Sequence, residues 1–212
     1  MEINIRNEVP DDYREVEELT KKAFWNVNVP GCDEHYIAHI LRGHDDFIPE
    51  LDFVLTLNGK IIANIMYTKA RLADGSGAEK EIVTFGPISV HPEYQRRGYG
   101  KALLKHSLEK AAEMGFEAAV IFGNPENYVT AGFKSCKKYN VAVPDGTYPV
   151  ALLVKELKEG ALAGKSFIYK ESSAYEYDPE MAKEFDKTFE HIPKEYRPSQ
   201  ELFYIYSGSK MK

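Results

Sequence analysis

The sequence predicts a mixed α/β fold of the α+β kind. A mostly antiparallel, twisted sheet is flanked by helices and followed by a C-terminal appendage. Apolar residues alternate with period two in several short runs and switch to helical spacing between them. Asn58-Gly59 stands between two such runs, which is a hairpin signal and makes its strands antiparallel. The element order is strand, helices, three antiparallel-type strands, long helix, strand, short helix, strands, and this is not a repeated βαβ array.

Ile3 and Ile5 alternate with Asn4 and Arg6 as a first strand. Pro10-Asp11-Asp12 starts a helix, since Pro is tolerated in a first turn and acids suit its positive end. Val16, Leu19, Ala23 and Phe24 keep helical spacing through Trp25, and Val29-Pro30-Gly31 breaks the chain. A second helix is expected over Asp33 to Arg42. Leu51 to Leu57 and Ile61 to Ala70 are the arms of the hairpin, and Ala73 to Gly77 reads as a mobile loop. Glu81 to Val90 is a strand that Gly86-Pro87 should bulge or break, because Pro has no N–H for the ladder. Gly98 to Met114 is a helix with Leu103, Leu104, Leu108, Ala111 and Ala112 on one stripe, stopped at Gly115. Phe116 to Phe122 is a buried strand, Pro125 to Ala131 a short helix, Gly132-Phe133 the lead into another strand, and Val150 to Leu157 a last strand.

The chain divides into a main unit over residues 1–158 and an appendage over 159–212. The appendage carries ten aromatic residues, too many for a disordered tail, and a helix is expected over Pro179 to Glu190. Ser207 to Lys212 reads as a frayed end. A formal charge of −6 argues against a nucleic-acid partner. No run has the roughly 18 apolar residues of a membrane span, and the first residues lack the apolar core of a secretory signal. Two distant cysteines make no disulfide framework and fit a reducing, cytoplasmic setting. A homodimer is compatible with the sequence, though no residue demonstrates it.

Chemistry concentrates between His91 and Lys105. Four cations (Arg96, Arg97, Lys101 and Lys105) and one acid (Glu93) give a local +3 on an acidic protein. Two glycines lie where a loop opens a helix, whose first amides are free and whose dipole is positive. Together these describe a pyrophosphate site, although Gly-x-Gly alone is weak and also describes a plain flexible loop. A Rossmann fingerprint would need Gly or Ala where Leu103 stands, and the Gly-x4-Gly-Lys-Ser/Thr of a Walker loop is absent.

The stretch Gly86 to Leu104, with Val90-His91-Pro92 and Gln95-Arg96-Arg97-Gly98-Tyr99-Gly100, resembles the central motif of the GNAT acetyltransferase superfamily. Asn124 to Phe133, with Tyr128 and Gly132-Phe133, is similar to that family's next motif, Tyr-x-x-x-Gly-Phe. The resemblance covers roughly residues 1–157. It implies the GNAT acyl-CoA fold and acetyl transfer from acetyl-CoA, with no metal, to a primary amine of a small molecule or peptide by direct attack in a ternary complex. It implies that the loop amides of Arg96, Arg97, Gly98, Tyr99, Gly100 and Lys101, next to Gln95, hold the CoA pyrophosphate. It implies that Ile88, Ser89 and Val90 pair with the pantetheine arm, and that an amide near Ile88 polarises the thioester carbonyl. Asn124 and Asn127 flank the arm, and Tyr128 matches the family's general acid. Against this, Tyr128 could simply pack on Phe133. Many relatives carry a glutamate base in the strand before the glycine loop, but here Thr84, Phe85 and Gly86 fill its middle and only Glu81 stands at its start. That departure leaves Glu81, a water or a loop residue as the base. It also keeps open an alternative, a non-catalytic acyl-CoA-binding or regulatory module.

Other residues have plainer readings beside a functional one. Cys32-x2-His35-x3-His39 has metal-like spacing but no evident fourth ligand, so zinc hydrolysis is the remotest reading. In the resembling family the first two helices line the acceptor pocket, which points to Trp25, His35 and Tyr36. His91 reads as a turn residue, Cys136 as a core thiol, and Lys134, Lys137 and Lys138 as a solvated face that could also meet the adenosine 3′-phosphate.

Overall fold

The computed structural model describes residues 2–212. Strand β1 (Ile3–Asn7) leads through a 3-10 turn at Pro10–Asp12 into α1 (Tyr13–Phe24). The α-helix therefore opens later than Pro10. The Asp12 carboxylate accepts from the Val9 amide at 2.9 Å and from Arg6 of β1 at 2.9 Å, which keeps the turn tight. Then come α2 (Glu34–Leu41), β2 (Phe53–Leu57), β3 (Lys60–Asp74), β4 (Glu79–Val90), α3 (Tyr99–Glu113) and β5 (Ala118–Phe122). The expected mobile loop is a turn closed on Asp74, whose carboxylate accepts from the amides of Ser76 and Ala78 at 3.0 and 3.2 Å. Helix α4 (Pro125–Tyr128) and strands β6 (Lys134–Ser135), β7 (Val141–Ala142), β8 (Tyr148–Pro149) and β9 (Leu152–Glu156) follow. Residues 159–212 supply β10 (Phe167–Lys170), α5 (Pro179–Asp186), α6 (Pro198–Gly208) and β11 (Lys210–Met211).

The main sheet runs β1-β2-β3-β4-β5-β9-β6, and along that path only β4 and β5 are parallel. Strand β10 adds antiparallel to the outer end of β3, where β2 has ended, and runs parallel to β7. The C-terminal end is not frayed. Strand β11 pairs with β8, and Lys210 meets Asp145 at 2.9 Å.

Helix α3 covers one face of the sheet. Leu103, Leu104, Leu108 and Ala111 pack on Leu55, Ile65, Val83 and Phe85. Ala112 turns outward, and Ser107 is buried in its place, 2.8 Å from the Tyr67 hydroxyl. The other face carries α1, through Val16 and Leu19 on Val54 and Ile61, and α2, through Ala38 and Leu41 on Met66. A further core at the far end gathers Leu72, Ile82, Val120, Phe167 and Tyr169. Among the described residues no helix is long and apolar enough to cross a membrane.

The pairing of β4 decides where a ligand fits. Ile65 opposes Ile88 and Tyr67 opposes Phe85, so Met66 alone faces both Gly86 and Pro87. This is the bulge that the proline implied. On its other edge β4 is in register with β5 only at Val83 and Ala119. Beyond that point the two parallel strands separate.

One charged clamp holds α2 against the sheet end of β1. Arg42 donates to both carboxylate oxygens of Glu8 at 2.9 and 2.8 Å and to Glu17 at 2.9 Å, and all three side chains are at most 7% exposed. Removing one partner of a buried pair strands the other's charge. Arg42→Ala should therefore lower the unfolding free energy by about 3–5 kcal/mol, measured by urea denaturation.

Candidate functional site

Two left-handed residues shape the loop after β4. Arg96 has φ 59° and Gly98 has φ 90°. The Gln95 side-chain amide donates to the Val90 carbonyl at 3.0 Å and folds the loop back on the strand. Gly98 then caps α3, and the helix bears no acid in its first turn. Its free amides and positive end are left for an anion. Gly100 packs closely on the strand: a Cβ there would lie 3.0 Å from the Val90 side chain, which would have to give way.

The separation of β4 and β5 opens a cleft of about 750 Å³. Of the residues expected at the site, Ile88, Val90, Gln95, Arg96, Gly98, Tyr99, Gly100, Lys101, Asn127 and Tyr128 line it. The end of α1, with Ala23 and Phe24, supplies another wall. An adjoining cavity of about 410 Å³ shares Lys101, Thr130 and Ala131 and adds Lys105 and Lys155.

Four expected residues lie elsewhere. The Ser89 side chain is buried against α1, donating to Thr20 at 2.9 Å. Arg97 is exposed, 5.8 Å from the Tyr94 ring centre. Asn124 caps α4 by accepting from the Glu126 amide at 3.0 Å. Glu81 is exposed, opposite Arg71. It stands seven residues before Ile88, roughly 23 Å along an extended strand, and is not brought to the cleft.

Tyr128 brings a hydroxyl to the same cleft that Ile88 and Val90 line. Its ring meets Phe85 and Phe133 at 5.8 Å each, and Gly123 makes room for it, since a Cβ there would lie 2.5 Å from the ring. Burial, and then the neighbouring Tyr206 phenol, push the Tyr128 pKa up to about 12. The hydroxyl keeps its proton through the neutral range. Neither Gly123 nor Tyr206 was singled out by sequence reasoning. Gly123 opens the Gly-x-Pro run of the second motif, but nothing in the sequence tied it to the Tyr128 ring, and α6 shows no clean apolar stripe that would have placed Tyr206.

The remaining candidate side chains have partners of their own. His35 is fully buried, with Nε2 3.1 Å from Asp186 and Nδ1 3.7 Å from Cys32, and burial lowers its pKa to about 4. His39 is half exposed and points at Glu17, 2.9 Å away. The two imidazoles do not converge on a common point. The Trp25 indole donates to the Pro193 carbonyl at 3.1 Å, and Tyr36 packs on Tyr177 and Phe185. The surface expected to line the acceptor pocket is thus covered by the C-terminal segment. His91 caps the Pro92–Tyr94 turn. Cys136 is a buried core thiol, its pKa pushed up to about 11 by burial. Lys134 and Lys137 lie over Tyr139 and Tyr148, away from the cleft.

The family described as Acetyltransferase (GNAT) family matches residues 13–133. The uncharacterised N-acetyltransferase YhbS of Escherichia coli K12 is 26% identical over 161 residues, which are 76% of this chain and 90% of that one. A crystal structure of YhbS from E. coli in complex with CoA superposes with a TM-score of 0.70 at 24% identity, over 82% of this chain and 92% of that one. A GNAT acetyltransferase from Brucella melitensis, solved with acetyl-CoA, gives 0.65 at 22% identity, over 82% and 99%. At these identities the two structures show a shared fold.

The Tyr128 environment makes its titration a direct readout of packing. With tyrosine carbons labelled for NMR, Tyr128 should titrate near pH 12, against an ordinary value of 10.0. Gly123→Ala should push the ring outward and bring that value back toward 10.0.

Proposed function

The chain belongs to the Acetyltransferase (GNAT) family, and from that premise we propose that its cleft seats acetyl-CoA and delivers the acetyl group to a primary amine. The observation that carries this reading is one continuous cleft with an anion site at one end and a protonated phenol in its wall. The amides of residues 96–101 take the pyrophosphate at the start of α3. The edge of β4 at Ile88 to Val90, freed by the loss of β5, pairs with the pantetheine arm. Lys105 and Lys155, in the adjoining cavity, meet the remaining phosphate. Asn127 flanks the arm.

An amine at neutral pH carries an extra proton, with a lysine-like pKa of about 10.4. It must lose that proton before its lone pair attacks the thioester carbonyl. A backbone amide near Ile88 steadies the oxygen that becomes negative. The C–S bond then breaks, and the Tyr128 hydroxyl supplies a proton to the departing sulfur. A phenol held at about 12 keeps that proton available across the working range. Residues 1–158 form the acetyltransferase unit, and 159–212 are the appendage that closes the α1–α2 side. Both cysteines are free thiols, which supports a reducing cytoplasm as the setting.

Two substitutions separate binding from chemistry. Tyr128→Phe should cut kcat by about 10²–10⁴ in a thiol-release assay while CoA still raises the thermal midpoint. Gly98→Glu places a carboxylate at the anion site and should abolish that CoA-induced rise. Gly98→Asn, which accepts a left-handed backbone, should keep it. A Gly98→Glu protein stabilised as well as wild type would sink the loop assignment.

A further inference from the structure

The C-terminal segment runs as a belt around the open side of the cleft, tied by hydrogen bonds along its length. After β10 it meets the β4 bulge, where Tyr175 donates to the Gly86 carbonyl at 3.1 Å. Tyr177 then donates to Asp33 at 3.1 Å, at the start of α2. Past α5, helix α6 begins beside the end of α1. Ser199 donates to the Val27 carbonyl at 2.8 Å and Gln200 to the Asn26 carbonyl at 3.0 Å. Val27 is itself on the cleft lining. At the other end of α6 the Ser209 carbonyl accepts from the Val150 amide at 2.9 Å, and β11 takes the edge of β8. The neighbouring Ala151 carbonyl accepts from the Gly123 amide at 2.9 Å, and Gly123 seats the Tyr128 ring.

The two anchors of α6 therefore belong to opposite walls. One is the end of α1, and the other is tied to the β5–α4 junction that carries Tyr128. The 11 residues of the helix, at about 1.5 Å each, make it roughly 16 Å long, and it crosses the gap between those walls. Its outward side bears Leu202, Tyr204 and Ile205, all exposed. The side turned to the protein bears Gln200, Phe203 and Tyr206 at helical spacing, all more sheltered, with the last two rings edge to face at 5.5 Å. The Tyr206 phenol acts on Tyr128, whose pKa it helps to raise. The one charged side chain of α6, Glu201, is exposed. Among the described residues on the cleft lining, Glu126 is the one carboxylate, and it is exposed as well.

We propose that α6 is the acceptor-side wall of the cleft, and that it selects a small primary amine with an uncharged aromatic body, packed on Phe203 and Tyr206, and excludes polypeptides. The inference rests on the acetyl-transfer reading above and names the acceptor class of that same site. A peptide is commonly held as an added strand or in an open groove. Here β11 already occupies the edge of β8, and the belt from Gly86 to Val150 bars a chain from running on past the reacting amine. A polyamine would bring further ammonium groups, each needing a partner once desolvated, and α6 turns aromatic rings rather than carboxylates inward. One more ring can pack edge to face on Phe203 and Tyr206. Its amino group is then free to reach the thioester beside Tyr128.

The test uses the full chain, acetyl-CoA and three probe amines in a thiol-release assay: phenethylamine, spermidine and a short lysine-containing peptide with a free N-terminus. Wild type should use phenethylamine with a kcat/KM about tenfold above the other two. Phe203→Ala and Tyr206→Ala should each raise the KM for phenethylamine about tenfold, with little change in kcat and with the CoA-induced thermal shift kept. Leu202→Ala, on the outward side, should leave that KM unchanged. An unchanged KM in both inward variants overturns the inference, and so does a wild type that prefers spermidine or the peptide; the acetyl-transfer reading stands in either case. A wild type that CoA does not stabilise and that releases no thiol with any amine overturns both. If an alanine variant loses the CoA shift through misfolding, leucine at the same position decides. A raised KM for phenethylamine supports the packing role, and an unchanged KM overturns it.

Discussion

The site exists because β4 cannot stay beside β5. Two residues of β4, Gly86 and Pro87, are opposed by Met66 alone, so the strand bends there. Proline offers no amide to a neighbour on either side. Strand β3 follows β4 through the bend and re-registers at Ile65 and Ile88, while β5 keeps a single pair at Val83 and Ala119. A straight β4 would run on beside β5 and fill the cleft with its own ladder. The bend instead leaves a strand edge at Ile88 to Val90 and aims the chain at the glycine loop. From below, Leu103 and Leu104 of α3 and Ile65 of β3 hold the bent strand in place through one shared core.

The C-terminal segment braces the same bend from the other face. Tyr175 bonds the Gly86 carbonyl, and the turn that carries it is fixed by Ser172 on Asp46. Further along, Lys21 of α1 meets Asp186 of α5 at 2.7 Å with both side chains largely sequestered, and the Trp25 and Asn26 side chains hold the Pro193 carbonyl. Lys21 lies so deep that its charge needs Asp186, and Asp186 in turn stands next to the neutral His35. Much of this segment is therefore pinned by groups that would be left buried and unpaired without it, which is a stronger tie than apolar contact alone. The family match ends at residue 133, so this bracing lies outside the stretch that the family model covers.

What could be read from the sequence was local. The hairpin at Asn58-Gly59 has left-handed backbone at both residues, φ 50° and 84°, and the glycine loop has it at Gly98, so these positions announce themselves by residue type. Tyr128 was legible through its spacing from Gly132-Phe133. Its high pKa was not, because that comes from Phe85, Phe133 and Tyr206, which meet only in three dimensions. Glu81 illustrates the converse: correct strand, wrong distance, since a 12-residue strand spans far more than one site. His35 and His39, one helical turn apart, looked like a pair. Docking of α5 buries the first against Asp186 and leaves the second to Glu17.

The electrostatic layout follows from where carboxylates are withheld. The chain is acidic, at −6, yet the first turn of α3 holds no acid and the cleft is lined on that side by Arg96 and Lys101. A negative ligand meets an undiluted helix terminus there. Deeper in, the wall changes to Ile88, Val90 and the ring of Tyr128, and the carboxylate of Glu126, also on the lining, is exposed to solvent. A carboxylate in the position of Tyr128 would oppose an anionic leaving sulfur, whereas a phenol near 12 is neutral when it approaches and can still give up a proton. The polarity of the cleft therefore runs from fixed positive charge at Arg96 and Lys101 to a neutral donor at Tyr128. That gradient is the order in which an anionic donor and its breaking thioester would have to be met.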